Sequence, residues 1–145
     1  MKFLIRSLIA SALLVTAVPA QANVPFSGVF AGTGSPVATV IGHSTHMGRI
    51  TGTAVVVMIT PTGFIGMSDW RAANGDRLFA EIVVTLTGPT STPGEFTFFE
   101  TAVYTGGTGR FAGVSGNATG TGTYNFITTD FAGIFNGHLS SVGSN

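Results

Sequence analysis

The side chain best placed to do chemistry is Glu100, in the run Glu95-Phe96-Thr97-Phe98-Phe99-Glu100-Thr101-Ala102-Val103-Tyr104. In an extended strand alternate residues share a face, which puts Glu100 with Phe96, Phe98, Ala102 and Tyr104. A carboxylate set among rings loses hydration, and its pKa rises unless a cation such as Arg71 or Arg110 pairs with it. Such a group either holds a structural ion pair or offers a ligand a hydrogen-bond donor and acceptor. The remaining tyrosine, Tyr124, is the other polar aromatic group that a pocket could use. Glu100, Tyr104, Phe96, Phe98 and Tyr124 are therefore the expected ligand-binding residues. Asp69, Trp70 and Glu81, which flank Asn74-Gly75, read as a solvated strand end.

The other polar motifs carry less. His43 and His46 are the only histidines near one another in sequence, but residues three apart on a strand point to opposite faces and no third ligand is close, so no metal is expected. Gly107-x-Gly109-x-x-Ala112 matches a dinucleotide fingerprint, which works only where the loop opens a helix. Gly113, Gly116, Gly120 and Gly122 follow, each costing about 1 kcal/mol relative to alanine in a helix, so no helix and no bound nucleotide are expected. The loop ends in Arg110 rather than the Gly-Lys-Ser/Thr of a phosphate loop. Gly106, Gly107 and Gly109 are instead expected to take positive φ angles and allow close backbone approach in a tight hairpin, with Phe111 packed inward and Arg110 laid over apolar surface. No cofactor is expected.

Residues 1–22 read as a secretory signal: Lys2 and Arg6, then an apolar run from Leu8 to Val18, then Ala20-Gln21-Ala22. The expected product is a secreted or periplasmic single domain of residues 23–145, without cysteine. It keeps four arginines, Arg49, Arg71, Arg77 and Arg110, against six carboxylates and no lysine, which gives nucleic acid no basic patch to hold.

The period along the chain is two. Segments rich in Val, Ile, Thr and Phe, punctuated by Gly, Pro and Asn, predict strands at 26–31, 38–41, 48–59, 64–71, 77–87, 95–105, 112–126 and 131–140. Asn74-Gly75 predicts a two-residue hairpin, in which Arg71 faces Leu78, Trp70 faces Phe79 and Ser68 faces Glu81. Trp70, Phe79, Glu81 and Val83 would then share one face, and Leu78, Ala80, Ile82, Val84 and Leu86 the other. Eight short-looped strands with so few charges to guard an edge favour an all-β, eight-stranded antiparallel closed barrel, with a two-sheet β-sandwich as the alternative. A membrane-spanning barrel would need aromatic girdles and a polar interior, and one Trp and two Tyr are too few, so membrane insertion is not expected.

With the strands placed, Gly106-Gly107-Thr108-Gly109-Arg110-Phe111-Ala112-Gly113-Val114-Ser115-Gly116 resembles the Gly-Gly-Thr-Gly-Lys/Arg-Phe segment of dirigent proteins, and is similar to the Gly-Gly-Ser/Thr-Gly-x-Phe variant of allene oxide cyclases. Thr45-His46-Met47-Gly48-Arg49 and Ala73-Asn74-Gly75-Asp76 resemble segments of small exported bacterial proteins of that barrel group. The resemblance implies an eight-stranded barrel and a homotrimer. It does not carry over a site, because the cyclase site uses a cysteine and the aspartate-rich dirigent segment has no counterpart in this chain. The expected function is binding of a small, largely apolar molecule in the lumen, without catalysis. The alternatives are a cyclase or coupling-directing enzyme and a structural or surface-interaction protein.

Overall fold

The computed structural model describes residues 23–142. The elements are β1 (Val24–Thr33), β2 (Val37–Ser44), β3 (Gly48–Thr60), β4 (Gly63–Arg71), β5 (Arg77–Pro89), β6 (Glu95–Gly107), a 3-10 turn (Gly109–Phe111), β7 (Gly116–Asn125) and β8 (Asp130–Leu139). Each strand pairs antiparallel with the next, and β8 returns to β1 from Val24↔Leu139 to Thr33↔Asp130, which closes the barrel. The favoured closed eight-stranded barrel, not the two-sheet sandwich, is thus the fold adopted, and among the described strands none keeps a free edge.

Alternation decides what goes inside. On β5, Leu78, Ala80, Ile82 and Val84 are buried, whereas Glu81, Val83 and Thr85 face out. On β6, Phe98, Glu100, Ala102 and Tyr104 point inward, as their spacing predicts. Aromatic rings fill much of the interior: Phe26 packs on Tyr104 and Phe135 with centroids 5.4 and 5.1 Å apart, and Phe135 lies 5.4 Å from Trp70. Glycines on neighbouring strands make room for such rings. A Cβ on Gly122 would lie 2.7 Å from Phe98 Cζ, and one on Gly133 would lie 2.8 Å from Phe30 Cζ. The glycine-rich β7 is therefore packed as a smooth wall behind the aromatic layer.

The β4–β5 hairpin corrects the predicted register by one residue. Arg71 pairs with Arg77, Trp70 with Leu78 and Met67 with Glu81, around the loop Ala73-Asn74-Gly75. Ala72 N–H donates to Asp76 O at 2.8 Å, and of the loop residues only Gly75 is left-handed, with φ +94°. That is a three-residue turn with a terminal left-handed glycine, not the two-residue turn, which needs positive φ at both Asn and Gly. The shift moves Trp70 off the Phe79–Glu81–Val83 face and into the barrel, where it is 8% exposed.

The glycine loop is also corrected. Residues 108–115 form a broad connection rather than a tight hairpin, and β7 begins at Gly116 instead of Ala112. Gly106 and Gly109 have positive φ, of 130° and 57°. Gly107 does not; its lack of a side chain serves close approach, because a Cβ there would collide with the Arg77 carbonyl oxygen. Phe111 is fully buried, as expected, and the Arg110 guanidinium lies 5.4 Å from its ring centroid. No helix among the described residues is long and apolar enough to cross a membrane.

Candidate functional site

The two ends of the barrel differ. At the end reached by the 45–47, 72–76 and 108–115 connections, Met47, Ala72, Phe111, Val114 and Leu139 are all buried and fill the lumen. At the other end, bounded by Gly34, Pro36, Pro61 and Thr129, a cavity of about 430 Å³ opens between the strands. Its wall carries rings from five strands: Phe30 on β1, Phe64 and Trp70 on β4, Phe98 on β6, Tyr124 on β7 and Phe131 on β8. Phe64 packs edge-on against Tyr124 at 6.1 Å, which sets two of these rings across the lumen from one another.

Glu100 lies in this wall and is 9% exposed. Its ladder neighbours are Val84 on β5 and Gly120 on β7, neither of which offers a charge or a side-chain hydrogen bond. Burial alone lifts its pKa from 4.5 to about 7. The arginine partners considered for it are engaged or distant in the fold: the Arg110 Nε lies 3.7 Å from Asp76 Oδ2, and Arg71 is exposed on the outward face at the end of β4. Burial, and after it the charge of Glu100, also push the Tyr104 phenol upward. The other buried polar groups at the cavity wall are the Ser68 hydroxyl and the Trp70 Nε1–H, which has no hydrogen-bond partner, and among the described residues no Lys, Arg or His side chain lines it.

The expected binding residues divide. Glu100, Phe98 and Tyr124 line the cavity. Tyr104 is buried deeper, against Phe26, and Phe96 stands near the rim with its ring 5.5 Å from Phe126. Asp69 faces outward and pairs with Arg77, while Glu81 is exposed. Among the described residues no three His, Asp or Glu side chains cluster as metal ligands would. Trp70, Ser68, Phe30, Phe64 and Phe131 were not foreseen as wall residues. The period of two along Phe64-Gly66-Ser68-Trp70 carried that signal, but the two-residue turn reading turned it outward.

The glycine loop has its own anion, and it is Asp76. Asp76 Oδ2 accepts from Arg110 N–H at 3.1 Å and from Asn74 Nδ2 at 2.9 Å, while Arg110 Nη2 donates to the His46 carbonyl oxygen. A Cβ on Gly109 would collide with the Asp76 carboxylate, so the loop is closed around an internal group. Gly109→Ala should therefore cost about 1–3 kcal/mol, from the positive φ and the collision together. Urea unfolding measures it, and an unchanged midpoint would show that the loop tolerates a side chain.

The fold and the cavity together define a closed up-and-down β-barrel, filled at one end and holding an aromatic, singly acidic pocket at the other. No family model, curated protein or solved structure matches the chain.

Proposed function

We propose that the protein is an exported β-barrel that binds a small, largely apolar molecule through the open end of its lumen. The observation that carries this reading is the cavity itself: about 430 Å³, walled by rings, with one unpaired carboxyl. Small-molecule sites have this size and this balance of apolar wall and few polar groups. A barrel built only for stability would have no reason to leave Glu100 desolvated and unpartnered at a cavity wall. The basic start and apolar run of residues 1–22, which lie outside the described residues, support export. The apolar interior supports a barrel that is not inserted in a membrane, since spanning barrels are polar inside. The segment 106–116 supports kinship with the dirigent and allene oxide cyclase barrels, and a trimer is supported by exposed Met67, Val83 and Val103 on the outer face of β4, β5 and β6.

One observation favours the second reading, a cyclase or coupling-directing enzyme. A carboxyl that titrates near 7 is in the range a general acid or base uses at neutral pH. Binding without turnover is the preferred reading because, among the described residues, no second carboxyl and no histidine lines the cavity beside Glu100.

The test uses N-phenyl-1-naphthylamine, a dye that brightens on leaving water, together with native mass spectrometry for co-purified ligand and subunit number. Ala54 lines the cavity and is half-buried, so Ala54→Phe should fill it and weaken dye uptake about tenfold or more. No uptake by the parent protein, or equal uptake by the filled variant, would refute lumen binding.

A further inference from the structure

We infer that the ligand of the lumen is a lipophilic amine, its ammonium group set against the Glu100 carboxylate and its apolar body among the rings. This rests on the lumen-binding reading and adds the sign of the ligand's charge. Among the described residues Glu100 is the one charged side chain of the cavity wall, and no cationic side chain shares that wall. An anionic ligand would therefore meet a like charge with only neutral donors, the Trp70 Nε1–H and the Ser68 hydroxyl, to hold it, and a hydrocarbon would leave a carboxyl stripped of water without a partner. A cation supplies the partner that the chain withholds. The faces of Phe30, Trp70, Phe98 and Tyr124 add to the attraction, because ring faces are electronegative.

The groups packed around Glu100 leave that role to the ligand. Beside it in the sheet β5 presents Ile82 and Val84 and β7 presents Ala118 and Gly120, and β4 contributes Ser68 and Trp70 to the same cavity wall. Tyr104 on the same strand and Tyr124 at the wall are the other titratable groups, and burial pushes the Tyr104 phenol upward, so it stays neutral at pH 8. Proton balance follows. An ammonium ion enters, the carboxylic acid of Glu100 loses its proton to the buffer, and the pair formed is ammonium and carboxylate. Amine affinity therefore rises with pH through about 7.

Three probes of one shape separate the possibilities by calorimetry on the intact barrel: 1-naphthylmethylamine, the neutral 1-ethylnaphthalene and the anionic 1-naphthoate. At pH 8 the amine should bind about tenfold tighter than the hydrocarbon, with naphthoate weakest. Glu100→Gln should bring amine and hydrocarbon within about twofold. At pH 6 the parent's binding heat should vary with buffer ionisation enthalpy as for release of about one proton, a reading that needs no variant. Equal affinity for all three probes, absence of proton release, or an amine preference that survives in Glu100→Gln would overturn the inference while lumen binding stands. Failure of all three probes to bind would overturn lumen binding and this inference with it.

Discussion

Glu100→Gln should abolish a loss of stability that the parent protein suffers between acid and mildly alkaline pH. The native carboxyl is raised from 4.5 to about 7 by burial, so the folded state holds its proton more tightly than the unfolded chain does. Below about pH 4.5 the group is neutral in both states and its contribution is fully present. As pH rises towards 7 the unfolded chain ionises first, stability falls, and above the folded pKa the loss is complete at about 3 kcal/mol. Glutamine keeps the shape and does not titrate, so the parent and variant curves should converge at low pH and separate by about that amount at pH 8. Urea unfolding at pH 5 and pH 8 measures this. Parallel pH profiles for the two proteins would mean that Glu100 has found a partner in solution.

Phe26→Ala should produce the largest loss from a single apolar truncation, about 3–5 kcal/mol. Phe26 is fully buried on β1, with its ring against Tyr104 of β6 and Phe135 of β8, so it links the closing pair of strands to the opposite wall. The surrounding strands form a closed barrel and cannot collapse into the space left behind. Phe126→Ala is the contrast: its ring packs on Tyr124 at 4.8 Å near the open rim, yet the residue is 52% exposed, and its loss should cost about a third as much. A drop of less than 1 kcal/mol for Phe26→Ala, measured by denaturant midpoint, would place the main packing elsewhere in the lumen.

Local pattern and tertiary contact divide the molecule between them. Eight strands, their alternation, and the face shared by Glu100, Phe98 and Tyr104 were legible, because side-chain direction along a strand depends only on a period of two. Barrel closure was legible as well, because so weakly charged a sheet could not leave its edges bare. The register of the β4–β5 hairpin was not. Asn74-Gly75 suits both turns, and here Asn74 Oδ1 accepts from Asp76 N–H at 3.0 Å while Arg110, from a loop more than thirty residues later, donates to the Asp76 carboxylate. Those contacts accompany the longer turn and, through it, the inward placement of Trp70.

Which wall residues meet was decided in the same way. Phe64 and Tyr124 are brought together by curvature and closure, which no window of sequence contains. So was the difference between the ends: Phe111 and Met47 fill one because their loops fold inward, and the other stays open as the cavity. By itself the sequence determined which side chains share a face along β5 and along β6, since that follows from bond geometry. Only the tertiary structure decided which of them touch, which are left without a partner and where space remains, because those depend on distances set by loops and strands far apart in the chain.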